Sequence, residues 1–370
     1  MKRENTKSVQ IFTELKDEIF GGRYGQCRSF PSEVALARRF GVSRSLMTRI
    51  VSDLERMGLV IRRQGSGTVV AKGVAQRKIG LIMPDVTQSE YFVRIYRELV
   101  RIAEREQYVM LFGEIQGKTA KARAASAEKL VNDFIEQKVA GVIFQPIEYY
   151  DEGEEFNRRM LAWLDAAQIP VVLCDNGLAI AECKYDVVGN NNIAASIVMY
   201  RHLVEAGAKR ICFFMRPYSA YTHFARAQGV VLAQLPKIAG TVRRESLLIA
   251  EPDDDKAILR RIKGAKVDAF MCGDDETAAR LMQTLCKLGY KIPDDILVSG
   301  FNDLNVARLL SPSLTTLRAN CEQIADMAFN RLSERIANPG LLPTEISIPV
   351  ELVVRESTRL TEKTLKRSGR

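Results

Sequence analysis

From residue 79 onward the chain repeats one pattern, a short apolar run followed by an amphipathic stretch long enough for a helix. The runs are Ile79–Met83, Tyr108–Phe112, Ala140–Phe144, Pro170–Leu173, Arg210–Met215, Asp268–Cys272 and Ile296–Gly300. Runs this short and this apolar read as buried strands, and buried strands that alternate with helices make βαβ units. The expected architecture is therefore α/β, with parallel sheets.

Residues 1–78 read differently. Val9, Phe12, Leu15 and Ile19 recur at helical spacing until Gly21-Gly22. Ser32 suits the N-cap of a short helix with Leu36 and Phe40 inward, closed by Gly41. Ser43 caps a third helix with Met47, Ile50 or Val51, Leu54 and Met57 toward the core, and Gly58 stops it. Two short runs, Leu59–Arg63 and Thr68–Ala71, are joined by Gln64-Gly65-Ser66-Gly67, a hairpin signal. Three helices and a hairpin describe a winged helix-turn-helix, an α+β unit. The polar stretch before residue 79 has little periodicity, so the domains are read as 1–71, a linker 72–78, a large domain 79–362 and a basic tail 363–370.

Charge divides the same way. Of 54 Lys and Arg and 45 Asp and Glu, residues 1–78 hold 16 and 7, which leaves 38 of each for the rest and puts the whole net charge of +9 in the head. A local positive field on an otherwise neutral chain suits a polyanion, because each phosphate neutralised releases condensed counterions. No run reaches the roughly 18 apolar residues of a membrane span. The charged opening does not read as a secretory leader, so a cytoplasmic protein is expected. The seven cysteines include no CxxC pair and most sit in apolar runs, which suits reduced core thiols. His202 and His223 carry no zinc-ligand spacing, so no metal is expected. Gly65-Ser66-Gly67 lacks a third glycine and lies between strands, no phosphate loop occurs, and no acid/base pair or nucleophile set can be assembled. Neither a cofactor nor an enzyme is expected.

The third helix presents Arg44, Ser45, Thr48 and Arg49 from its N-terminal half, where side chains can reach base edges in a major groove. The helix starts at Ser32 and Ser43, with Arg38 or Arg39, face phosphates. The segments Phe30-Pro31-Ser32-Glu33, Leu36–Arg44, Asp53–Val60 and Gly65–Val70 closely resemble the GntR family of regulators over nearly all of residues 8–71. The resemblance implies that the wing brings Gly65, with Gln64 beside it, to the minor groove. Val34 and Thr48 stand where the family often has basic residues, which implies a different operator.

Ligands of open α/β sheets bind beyond the carboxyl ends of the strands. The residues there are Asp85 with Tyr91 and Phe92, Gln145, Asp175, Tyr218 to Tyr221, Arg226, Asp274 with Asp275, and Asn302 with Asp303. Carboxylates, amides, an arginine and aromatic rings are the mixture that sugar hydroxyls and an apolar ring face require. Bland roles also fit: Asp274, Asp275 and Glu276 can cap a helix, Tyr91 and Phe92 can be core, and Arg226 can pair with a carboxylate. Leu288–Asp303, Pro312–Leu317, Val353–Thr358, Ile79–Asp85 and Gly141–Phe144 resemble the LacI/GalR type of effector domain, which is periplasmic-binding-protein-like and two-lobed. That resemblance singles out Gln145, Asp175, Arg226, Asp274 and Asn302, the last in place of a usual Asp. A GntR head on such a body is similar to the arabinose-repressor type.

The expected function is a sequence-specific transcription regulator, a repressor, that binds double-stranded operator DNA and is controlled by a small-molecule effector, a carbohydrate or its derivative. Two half-sites related by a two-fold axis call for a homodimer, and the resemblance implies that the effector domains supply its contact. The alternative is a sugar-binding protein whose winged helix serves protein interaction.

Overall fold

The computed structural model describes residues 2–20, 23–24, 29–63, 67–71, 77–83, 89–113, 115, 117, 119–147, 153–177, 184–219, 221–235 and 246–359. Gln64, Gly65, Asp85, most of the expected linker, the basic tail, Cys27 and Cys183 lie outside them. Two compact units divide the chain, residues 1–79 with 103–110, and residues 80–102 with 111–370.

The head is built from α1 (Lys2–Phe20), α2 (Glu33–Phe40), α3 (Arg44–Arg56), β1 (Val60–Arg63) and β2 (Gly67–Val70). Its helix starts are set locally. Ser32 Oγ accepts from the Ala35 amide at 3.2 Å and Ser43 Oγ from the Leu46 amide at 3.3 Å, each satisfying a donor the helix cannot. Gly41 ends α2 at φ 60°, the left-handed conformation that turns the chain into α3. Ile11, Leu15, Ile19, Leu36, Met47, Ile50, Val51 and Leu54 form one core, over which β1 and β2 pair antiparallel. Val9 and Met57 differ from the sequence expectation and are exposed. Ile11 takes the inward position on α1, and Met57 follows the last turn of α3.

The large unit alternates as its apolar runs foretell: β3 (Arg77–Ile82), α4 (Glu90–Arg105), β4 (Tyr108–Gly113), α5 (Ala120–Glu136), β5 (Gly141–Phe144), α6 (Gly153–Ala166), β6 (Val171–Cys174), β7 (Asp186–Asn190), α7 (Asn192–Glu205), β8 (Ile211–Met215), α8 (Tyr221–Gln234) and β9 (Leu247–Ile249). There follow α9 (Asp255–Ala265), β10 (Ala269–Cys272), α10 (Asp275–Lys287), β11 (Leu297–Ser299), α11 (Asn305–Leu309), β12 (Thr316–Arg318), α12 (Cys321–Ala337), β13 (Glu345–Ile348) and β14 (Glu351–Val353). One lobe holds a six-stranded sheet in the order β13-β7-β6-β5-β3-β4, the other a four-stranded sheet in the order β11-β10-β8-β9. The chain passes between lobes three times, from β7 to α7, from β12 to α12 and from β13 to β14.

Both lobes bury aromatic and aliphatic layers, Phe134, Phe144 and Met160 in the first and Phe214, Phe270 and Leu281 in the second. At Gly229 on α8 an added Cβ would lie 2.5 Å from the Ile193 carbonyl, so only glycine lets α8 approach α7 this closely. The strands β7, β9 and β12 to β14 carry no clear apolar run. β7 begins with the fully buried Asp186, whose carboxylate is held by Arg331 at 2.8 Å, by Arg335 and by the Thr344 amide at 2.9 Å. Among the described residues no helix is long and apolar enough to cross a membrane.

Candidate functional site

On the head, α3 exposes Arg44, Ser45 and Arg49, and α2 exposes Arg38. The guanidinium groups of Arg38, Arg44 and Arg49 make no ion pair among the described residues. Two other expected contacts are engaged inside the head. Arg39 binds Glu18 at 2.7 Å and Glu14 at 3.0 Å, and its hydrogen bond is the chief reason the Glu18 carboxyl is held down to about 2. Thr48 Oγ1 donates to Glu33 at 2.6 Å. Glu33 also accepts from Arg62 of β1 at 2.8 Å, and Arg62 reaches Glu55 at 2.8 Å and Ser52 at 3.0 Å. Partial burial works against the Glu33 charge, yet the Thr48 and Arg62 bonds keep its pKa below the usual carboxylate value. This network fixes the wing strand against the helix that faces outward, and sequence reading missed Glu33, Glu55 and Arg62 because the contacts join three elements.

In the large unit, the strand ends of both lobes bring buried polar groups together. Tyr91 on α4 donates to Asp175 Oδ1 at 2.5 Å, and Asn190 Nδ2 donates to the Tyr91 hydroxyl at 3.0 Å. Asp175 follows β6 at φ 68°. Burial raises its pKa, and the Tyr91 hydrogen bond and the positive charge of Arg226 oppose that without cancelling it. From the second lobe, Arg226 lies 3.5 Å above the centroid of the Phe301 ring, a stacked cation–π contact. It also donates to Asn192 Oδ1 at 2.8 Å and to the Gly273 carbonyl at 2.5 Å.

His223 lies 3.5 Å from Asp274. Burial, with Arg226 beside it, pushes the imidazole down to about 4, so the ring is neutral at physiological pH and the contact is no ion pair. Asp274 is the N-cap of α10, accepting from the Thr277 amide at 2.7 Å and its hydroxyl at 2.9 Å, which is the capping role that its position also allowed. Gln145 Oε1, Asn190 Oδ1 and Asn302 Oδ1 are buried without a hydrogen-bond partner among the described residues. A buried acceptor left unpaired is destabilising by about 1–3 kcal/mol, and a ligand hydroxyl would satisfy it.

Other expected residues serve different ends. Phe92 tilts against Tyr91 with ring centroids 5.0 Å apart. Tyr221 is exposed at the start of α8. Asp275 is fully buried, binding the Leu304 amide at 2.7 Å and Thr316 at 2.6 Å, and burial pushes its carboxyl up to about 8. Asp303 gathers Arg318 at 2.7 Å, Arg308 at 3.3 Å and Arg355 at 2.5 Å. The lobes are also joined by the Asn305 amide donating to Glu90 at 2.8 Å and by Arg94 donating to the Asp303 carbonyl at 3.1 Å. Asn190, Asn192, His223, Phe301 and Glu90 were not anticipated. The run Asn190-Asn191-Asn192 was the available signal, three amides at once where one suffices for the Asn191 cap of α7. Among the described residues no three His, Cys, Asp or Glu side chains cluster as metal ligands.

A winged head with exposed arginines joined to a two-lobed body has the build of a DNA-binding transcription regulator, and the comparisons agree. Residues 7–70 match the bacterial regulatory proteins of the gntR family, and residues 200–358 match the periplasmic binding protein-like domain. The chain thus joins a gntR-family head to a periplasmic-binding-protein-like body. It is 24% identical over 367 residues to the arabinose metabolism transcriptional repressor of Geobacillus stearothermophilus, covering 95% of this chain and 98% of that protein. In fold it is similar to the transcription regulator CcpA of Lactococcus lactis, with a TM-score of 0.64, 19% identity and coverage of 76% of this chain and 99% of the other. A complex of the transcriptional regulator CelR with cellobiose has a TM-score of 0.65 at 18% identity, covering 89% and 100%.

Proposed function

We propose that this chain is a repressor whose affinity for operator DNA is set by a sugar or sugar derivative bound between the two lobes of residues 79–362. The observation that carries this reading is that the buried Tyr91, Asp175 and Asn190 of one lobe are linked by hydrogen bonds while Asp175 feels the positive charge of Arg226, which stacks on Phe301 in the other lobe. Gln145, Asn190 and Asn302 supply buried acceptors for ligand hydroxyls, and Asp274 borders the set through His223. On the head, Arg44, Ser45 and Arg49 read base edges and Arg38 meets phosphate, while Thr48 and Arg39 hold the frame. The relative named as an arabinose metabolism repressor and the fold neighbour complexed with cellobiose support a carbohydrate effector. The protein works where its operator is, in the cytoplasm, as a homodimer on two half-sites.

A melting-temperature screen of the full chain against pentoses, hexoses, disaccharides and sugar acids tests the effector, since a ligand of the native state stabilises it by mass action. Titrating promoter DNA with and without the hit then tests the coupling, which is reciprocal. Stabilisation by none of these ligands, or salt-independent DNA binding, refutes the corresponding half.

A further inference from the structure

The joint between the two lobes also holds a cavity of about 660 Å³, room for one small molecule. Helix α4, which belongs to the lobe of the six-stranded sheet, forms one wall, and the ends of β12 and β14 form the other. The chain crossings at Ala319–Cys321 and at Pro349–Val350 close it between them. Tyr91, Asp175, Asn190, Arg226 and Asn302 do not line it, so it is distinct from the inter-lobe set described above.

Its walls offer hydrogen-bond donors in excess. Arg94, Arg97 and Arg318 stand among Glu98, Glu322 and Glu351, yet the charges are not paired one to one. Glu98 is held by Arg101 at 2.7 Å, and Glu351 by Nη1 of Arg318 at 2.8 Å. Arg318 turns its Nε to Asp303 at 2.7 Å, which leaves Nη2 open among the described residues. Arg94 uses Nη2 for both Glu90 and the Asp303 carbonyl, so its Nε and Nη1 are open there too. Arg97 is exposed and makes no hydrogen bond or ion pair among the described residues. The first turn of α12 adds the Cys321 and Glu322 amides, which have no acceptor within their own helix. Against these donors stands Glu322, an exposed carboxylate with no ion pair among the described residues. Guanidinium groups with open N–H positions suit an oxyanion, because each planar fork can grip two oxygens and keeps its charge at any physiological pH.

We propose that this cavity is a binding site for a small multivalent oxyanion, a phosphorylated or polycarboxylic metabolite, gripped by Arg97 together with the open N–H groups of Arg94 and Arg318. Bound there, the anion ties α4 to β12 across the joint, beside Asp303, whose carbonyl and carboxylate Arg94 and Arg318 already hold. The site is additional to the sugar site, and its test depends on neither DNA nor sugar.

Calorimetric titration of the full chain with inorganic pyrophosphate, glucose 6-phosphate and citrate, at one ionic strength set with chloride, tests it. At least one of these probes binds saturably, and which of them does so separates a phosphoryl from a carboxylate ligand. Arg97→Ala removes an exposed side chain without partners, so the fold stays in place, and it weakens that binding about 10- to 100-fold, as expected for the loss of a charge-assisted pair. Arg260→Ala, an equal loss of charge on α9 outside the cavity, leaves the affinity unchanged. Saturable binding by none of the probes overturns the proposal. So does a probe that binds Arg97→Ala as tightly as the parent, which then sits elsewhere, at Arg226 for instance, and so does an equal loss in Arg260→Ala, the mark of a general charge effect.

Discussion

Replacing Tyr91 by Phe deletes one buried hydroxyl and leaves the ring in place. That hydroxyl donates to Asp175 at 2.5 Å and accepts from Asn190 at 3.0 Å, and all three residues are buried. A hydrogen bond to a charged group contributes about 1.5–3 kcal/mol, and an orphaned amide donor is destabilising by about 1–3 kcal/mol, partly relieved by local adjustment, so a net loss of about 2–4 kcal/mol is expected near neutral pH. For a unit of this size that is a fall of roughly 3–7 °C in melting temperature. The loss also depends on pH. Burial raises the folded-state pKa of Asp175 above its ordinary value, so its contribution to stability is complete at low pH and is lost as pH rises through the folded pKa. Tyr91 moderates that loss by favouring the carboxylate. Without it the pKa climbs further, and the gap between parent and variant widens from acid to neutral pH. Urea titrations of both chains at about pH 4.5 and about pH 8 measure the gap. A gap that is equal at the two pH values, or below about 0.5 kcal/mol at both, would refute the reasoning.

Three further outcomes are expected. Arg44→Ala weakens specific operator binding by about 1–3 kcal/mol in a filter or anisotropy titration, with head stability unchanged because Arg44 makes no ion pair among the described residues. Arg39→Ala acts the other way round. It lowers head stability more than base discrimination, and because Glu18 is held down to about 2 in the folded head, the deficit is present near neutral pH and disappears as pH falls through the acid range toward 2, as circular dichroism would record. Gly229→Ala forces a Cβ to within 2.5 Å of the Ile193 carbonyl, so α8 must lift from α7 and the melting temperature drops by an amount equivalent to about 1–3 kcal/mol; an unchanged melting curve would show that this packing is loose.

The amino-acid sequence by itself determined whatever depends on near neighbours. Ser32 and Ser43 place the starts of the head's second and third helices, and Gly41 the end of the second, because a cap bonds amides three positions away and a left-handed turn needs no distant partner. The seven apolar runs after residue 79 mark seven of the strands, since a strand covered on both faces has to be continuously apolar. The division of charge likewise placed the basic unit at the N-terminus. Tertiary structure decided which polar side chains meet. Tyr91 and Asp175 lie 84 residues apart, Arg226 stacks on a ring 75 positions further along, and Arg39 turns to Glu18 rather than outward, none of which leaves a local trace. It also decided β7, whose buried Asp186 looks like a loop residue until Arg331 and Arg335 arrive from α12. Periodicity and capping are written over a few residues, whereas a buried hydrogen bond depends on where the folded chain brings its second partner.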